Sequence, residues 1–271
     1  MTAIDLTGKP IVITGASSGI GRAAALACAR AGMPVAINAR GAQKLAEVAE
    51  AVRTLGVGVV QVSGDTSGAG VRAELLERAA SELGPVHAVF ANAGFGHEVR
   101  TLEMTEAELR HMFEVNFFAS LALVRAAAPA MIDRGSGHLL MCSSCLSKIG
   151  LPMYAAYCAT KACQDHFCRA MRHELRAHGV AVSSVHPIGT KTDFFERMND
   201  RSGGLTLMDR SKETFMQSPE VVARAIVRRL RAGRGGEVWT SAAMRTALGL
   251  SVAFPWVTDR VLRRMVSSRG G

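Results

Sequence analysis

The run Tyr157-Cys-Ala-Thr-Lys161 sets a phenol and an ammonium four residues apart at the start of a long helical pattern. That spacing puts both on one helix face. Their ordinary pKa values are about 10 and about 10.4, and an ammonium beside a phenol favours the phenolate. The pair could therefore donate or accept a proton near neutral pH. Ser144 lies thirteen residues before Tyr157, just past an apolar strand, where its hydroxyl could hydrogen-bond a substrate oxygen. Each residue also has a plainer reading, as a surface contact or a turn cap. Spacing alone leaves both open.

A second constellation is Gly15-Ala-Ser17-Ser18-Gly19-Ile20-Gly21, between the strand-like Ile11–Thr14 and a helical run of alanines. Gly15 permits a sharp exit from the strand, Gly19 a close backbone approach to a phosphate, and Gly21 tight packing of helix on sheet. The amides and dipole of the helix N-terminus would then face a pyrophosphate. Strand, turn and helix stand in the order that a dinucleotide site needs. The next strand runs on into Ala39-Arg40, where an NAD site usually has an acidic residue. A guanidinium suits a 2′-phosphate, which favours NADP(H). Asp65, after the third strand, could accept from an adenine amino group or simply cap its loop.

These residues must be held by a scaffold. Strands are expected at Ile11–Thr14, Val35–Asn38, Val57–Val62, Ala88–Ala91, Gly137–Cys142, Val180–His186 and Glu237–Trp239. Helical patterns lie near 19–31, 42–54, 68–83, 105–132, 154–177 and 219–231. Almost wholly apolar strands alternating with helices predict an α/β fold, a single-domain, Rossmann-type doubly wound sheet of about seven parallel strands with helices on both faces. Residues 1–240 would form the catalytic domain. Residues 188–218 are polar and aperiodic, as in a substrate lid. Residues 241–271 would add an apolar, basic helical extension, broken near Phe254 by Pro255.

Composition narrows the partners. The chain has 271 residues, 48% hydrophobic and 20% charged, which excludes a disordered polymer. No window of about 18 uninterrupted apolar residues occurs, so a spanning helix is not expected. No secretory signal is visible, so the six cysteines read as free thiols in a reducing cytoplasm. The formal charge is +9. Residues 219–271 carry ten Lys/Arg against three acids, so the surplus sits near the C-terminus. With no nucleic-acid motif and 5% aromatics, nucleic acid is not the expected partner. Cys142-x-x-Cys145 lacks a second pair or a histidine cluster, so no metal site is expected. His138 and His186, at strand ends, read as structural.

Taken in order, Thr14 to Gly21, Asn92-Ala-Gly94, Asn116, Ser144 with Tyr157 and Lys161, and Pro187-Ile188-Gly-Thr-Lys-Thr192 resemble the short-chain dehydrogenase/reductase family. The similarity runs over about residues 8–240. It implies that Tyr157 is the general acid or base, that Lys161 lowers its pKa and binds the nicotinamide ribose, and that Ser144 polarises the substrate carbonyl. Asn116 would hold a water in a proton relay through Lys161. Asn92 and Gly94 would lie beside the cofactor. Ile188 and Thr192 would contact the nicotinamide carboxamide, and Asp65 would take the adenine role. Homodimers or homotetramers are implied as well. The family's usual Pro-Gly is Pro187-Ile188 here, with glycine one place later at Gly189.

The expected substrate is a hydrophobic small molecule. Its wall would comprise Leu146, Ile149, Leu151, Met153 and Tyr154, with Phe95, Phe194, Phe195 and Met198 from flanking loops. The tail at 241–267 has three readings: a cover over the pocket or a subunit interface, a contact with an anionic membrane surface, or a terminal helix pair.

Overall fold

The computed structural model describes residues 3–194, 198 and 216–267, with backbone alone at 261 and 264–267. Most of the lid expected over 188–218, including Phe195, lies outside the described residues.

Seven parallel strands form one sheet in the order β3-β2-β1-β4-β5-β6-β7. They are β1 Ile11–Thr14, β2 Val35–Ala39, β3 Val59–Ser63, β4 Ala88–Ala91, β5 Gly137–Cys142, β6 Val180–His186 and β7 Gly236–Trp239. β1, β2, β4 and β5 are buried at every position, which is why their sequences read as unbroken apolar runs. β3 starts two residues later than expected because Gly58 serves as its lead-in. The Gly58 carbonyl accepts from Val35 N at 2.9 Å.

The helices are α1 Gly19–Arg30, α2 Ala42–Arg53, α3 Ala69–Leu83, α4 Glu106–Phe113, α5 Ala119–Asp133, α6 Ala155–Glu174, α7 Pro219–Ala232, α8 Ala242–Ala253 and α9 Pro255–Ser267. Alternation along β1 divides the core. Ile11 and Ile13 face one side, with α1, α2 and α7, while Val12 faces the other, with α3, α5 and α6. Burying each such branched side chain contributes about 1.5–3 kcal/mol.

Three local features position the site. β1 lies between β2 and β4, so chain direction across the sheet reverses there and opens a crevice at the strands' C-terminal ends. Between α4 and α5 the helix widens into one π turn over Glu114–Phe118, with Asn116 inside it. The whole rod Glu106–Asp133 is long and apolar enough by composition to cross a membrane, but half of it is buried as a core helix. The third feature is the break at Phe254, whose φ of −127° and ψ of 67° separate α8 from α9.

Candidate active site

The turn from β1 into α1 places Gly15 and Gly19 at φ of +65° and +53°, in the left-handed region. A Cβ on Gly21 would stand 2.1 Å from the Gly15 carbonyl oxygen and 2.7 Å from Asn92 Nδ2. Only glycine fits there. Ser18 caps α1 without a side-chain hydrogen bond, and the first turn has no acidic residue, so the N-terminal amides are left for an anion. Asn92 stitches β4 to β1, donating from its amide to Thr14 Oγ1 and from Nδ2 to the Thr14 carbonyl, both at 3.0 Å.

A cleft of about 430 Å³ runs from this turn to the ends of β5 and β6. Gly15, Ser17, Ser18, Gly19 and Ile20 line one end, with Arg40 and Asp65 at the rim. Lys44, which the sequence reading did not single out, joins Arg40 there from the first turn of α2. Asp65 Oδ1 accepts from both the amide and the hydroxyl of Ser67, at 2.9 and 2.8 Å. Burial opposes its charge, yet those hydrogen bonds, with Arg40 and His111, hold its carboxyl below the usual range. Asp65 is thus a loop cap and also a cleft residue.

Ser144, Tyr157 and Lys161 meet on the opposite wall. Ser144 caps the short 3-10 turn Cys145–Lys148 after β5, its Oγ accepting from Leu146 N at 3.1 Å. α6 presents Tyr157 and Lys161 one turn apart on the face that also buries Gln164, Asp165 and Cys168. The phenol departs from expectation. Burial pushes the Tyr157 pKa above its ordinary value, against the opposing hydrogen bond with Ser144. Lys161 is turned elsewhere: its Nζ lies 5.5 Å from the tyrosine ring centroid and donates to the Cys142 carbonyl at 2.7 Å. The ammonium lies over the ring face, and burial depresses its own pKa too.

Asn116 is fully buried in the π turn. Its side chain is spent on Phe95 and Thr160: Oδ1 accepts from Phe95 N and Nδ2 donates to Phe95 O, both at 2.9 Å, and Nδ2 also donates to Thr160 Oγ1 at 3.2 Å. Its own carbonyl accepts from Gln164 Nε2 at 2.6 Å. Gly94 lets the chain pass this cluster, since a Cβ there would lie 3.0 Å from Asn116 Oδ1 and 3.5 Å from Lys161 Nζ.

The segment after β6 closes over the cleft. The Pro187 carbonyl accepts from Cys145 N at 3.0 Å, which ties the strand end to the Ser144 turn. Ile188 and Thr192 line the cleft, and Thr192 Cγ2 would lie 2.9 Å from a Cβ on Gly19. Lys191 N donates to Gln217 O and Gln217 N to Gly189 O, each at 2.9 Å, so the two ends of the intervening segment are clamped together. Of the expected apolar wall, Phe95, Leu146, Tyr154, Phe194 and Met198 line the cleft. Leu151 and Met153 pack behind them in the same cluster. Ile149 does not line it. Phe194 lies against Tyr157, with ring centroids 5.6 Å apart.

Behind Ser144 lies a buried polar network that spacing did not reveal. His186 Nδ1 is 3.0 Å from the Ser144 carbonyl, and its ring stacks on Trp239 at 4.5 Å. Asp165, His186 and Glu237 converge, and the Lys148 ammonium lies between the two carboxylates, 2.8 Å from Glu237. Burial disfavours the charge on Asp165, but hydrogen bonds from His186 and Lys148 hold its carboxyl well below the ordinary range. His138 is buried against Ser183. Cys142, Cys145 and Cys158 are pushed up by burial and stay thiols.

Residues 9–203 match the family model described as short chain dehydrogenase. The chain belongs to the short chain dehydrogenase family of oxidoreductases. It is 28% identical to "Dehydrogenase/reductase SDR family member 7B" of Danio rerio, over 98% of this chain and 88% of that protein. It is 33% identical over 83% of its length to "Glycine betaine reductase ATRR" of Emericella nidulans, and there it spans only 18% of the longer protein. Among solved structures, the alcohol dehydrogenase of the archaeon Thermococcus sibiricus, complexed with 5-hydroxy-NADP, matches with a TM-score of 0.73 and 31% identity. That match covers 84% of this chain and 94% of the other.

Proposed function

We propose that the chain is an NADP(H)-dependent oxidoreductase that interconverts a carbonyl and an alcohol on a hydrophobic small molecule. The observation that carries this is one continuous cleft. A glycine-built anion cradle and Arg40 lie at one end, and Ser144 and Tyr157 stand beside an apolar wall at the other. The alcohol dehydrogenase neighbour with its bound 5-hydroxy-NADP supports the cofactor class.

The cradle fits a dinucleotide because its closest approaches, at Gly19 and Gly21, leave no room for a side chain. Gly15, Ser17, Ser18, Gly19 and Ile20 would hold the pyrophosphate. Arg40, with Lys44 beside it, would hold the 2′-phosphate. Asp65, Asn92, Gly94, Ile188 and Thr192 would line the remainder. When bound, the nicotinamide supplies or accepts the hydride. Tyr157 lines the cleft with its pKa raised above the ordinary phenol value, so in reduction its hydroxyl delivers the proton to the substrate oxygen while Ser144 orients that oxygen. Lys161 would steady the phenol from the face of its ring. Phe95, Leu146, Phe194 and Met198 exclude water and select apolar substrates.

The test is NADPH oxidation in the presence of a panel of apolar ketones. Tyr157→Phe is expected to lower turnover by about 10²–10⁴-fold. Retained turnover would remove the proton role from Tyr157. Arg40→Ala is expected to weaken NADPH binding by about 10–100-fold, with little effect on NADH. Equal losses would reject the 2′-phosphate assignment.

A second reading concerns location and is compatible with the first. Leu250, Val252, Phe254, Trp256 and Val257 are exposed around the α8–α9 break, and Arg260 and Arg263 follow on α9. Apolar side chains rimmed by arginines suit an anionic membrane surface. α8 meets the 3-10 turn that carries Ser144, and Leu262 packs on the Leu151, Tyr154 and Met198 cluster. The enzyme would then sit at the membrane with its substrate end facing the lipid. Self-association would use the face of α4, α5 and α6, where Leu109, Phe118 and Phe167 are exposed.

A further inference from the structure

Gln164 is completely buried on the inner face of α6, one turn beyond Lys161. Its amide touches two groups whose polarity is fixed. On one side is the carbonyl oxygen of Asn116, which can only accept. On the other is the side-chain nitrogen of Lys161, which donates. The amide therefore has one orientation: Nε2 donates to Asn116 O at 2.6 Å, and Oε1 accepts from Lys161 Nζ at 3.1 Å. Asn116 lies in the π turn, where the ordinary helical pairing of carbonyls is disturbed, and a buried carbonyl left unpaired is costly.

We propose that Gln164 is a positioning residue. It is a built-in bridge from the π-turn carbonyl to Lys161, doing with a covalently anchored amide what a mobile water would otherwise do there. Two consequences follow from the chemistry of an amide. It holds Lys161 more rigidly than water, because its own carbon chain is packed into α6. It also does not pass protons onward, since protonating the Oε1 side or deprotonating Nε2 is prohibitive near neutral pH. The bridging amide is therefore a holder of Lys161 and not a proton carrier between Lys161 and Asn116. The bridge itself stands on geometry alone, while its catalytic meaning rests on the function proposed above.

Lys161 faces few other polar groups. Its Nζ also donates to the Cys142 carbonyl, the buried Cys142 thiol lies near enough to act on its charge, and the Tyr157 ring lies above it. Removing one of its two acceptors should therefore be felt strongly.

The experiment reads Lys161 directly in the full chain. There are only six lysines, so lysine labelled with carbon-13 at the ε position gives few signals, and Lys161→Arg assigns the one needed. Gln164→Leu removes the acceptor and is expected to lower the Lys161 titration midpoint by about one pH unit. Gln164→Glu puts a carboxylate there and is expected to raise it by about as much. Opposite shifts in two folded variants would not come from a merely structural role. Unmoved midpoints in both would overturn the bridge. A crystal structure of the NADP-bound chain is the second measurement, needed if either variant fails to fold. The expected result has Gln164 spanning the two groups. A water between Lys161 Nζ and Asn116 O, with Gln164 turned away, would overturn the proposal. Failure of ketone reduction with these shifts intact would reject the reaction and leave the bridge standing.

Discussion

At the scale of single residues, burial decides protonation more than neighbouring charge does. Desolvation pushes the Tyr157 phenol up, while Lys161 turns its ammonium to two carbonyl oxygens. That arrangement fits the acid role proposed for Tyr157 in reduction. Burial acts the same way on two histidines. It depresses His138 to about 3 and His87 to about 4 from an ordinary 6.5. Above pH 6.5 both are neutral whether folded or not, and their contribution to stability is fully present. As pH falls below that value, the unfolded imidazoles bind protons that the folded ones refuse. Stability is then lost progressively until the folded pKa values are passed. The melting temperature is expected to drop by several degrees between about pH 7 and about pH 5, and His138→Gln should flatten that slope. Differential scanning fluorimetry across pH checks it. An unchanged slope in the variant would assign the acid limb to other groups.

At the scale of elements, the chemistry depends on joints. The β1–α1 turn, the π turn and the cap at Ser144 each place one functional group. The β1–α1 joint is the least tolerant, because Gly21 packs against the Gly15 carbonyl with no space for a methyl. Gly21→Ala is expected to cost about 1–3 kcal/mol of stability and to weaken NADPH binding at least tenfold. Calorimetric titration with NADPH, alongside a thermal melt, checks both. Normal binding would show that the turn relaxes. The strand and helix positions were legible in advance because periodicity and β-branched runs are local. The π turn was not, because helical periodicity runs straight through Glu114–Phe118. Gln164 was likewise invisible: a polar residue in a helix reads as exposed until its neighbours are known.

At the scale of the molecule, the basic surplus lies toward the C-terminal part, and α8 and α9 leave apolar side chains in solvent. Incubated with vesicles containing anionic phospholipid, the chain is expected to float with them. Phe254→Ser with Trp256→Ser should abolish flotation without changing ketone reduction in detergent-free buffer. Failure of the unmodified chain to float would move the exposed face to a subunit contact.

The sequence alone determined the α/β class and the order of the strands along the chain. It also placed the glycine turn between β1 and α1 and brought Tyr157 and Lys161 to one helix face. All of these depend on residues within a few positions of one another, or on alternation along one strand. Only the tertiary structure decided where Lys161 points, what Gln164 joins, and how Lys148 comes to lie with Asp165 and Glu237 behind Ser144. Those contacts span up to 89 residues. Such pairs are set by the packing of β5, β6, β7 and α6, and by the need to satisfy every buried donor and acceptor at once. No local pattern encodes that need.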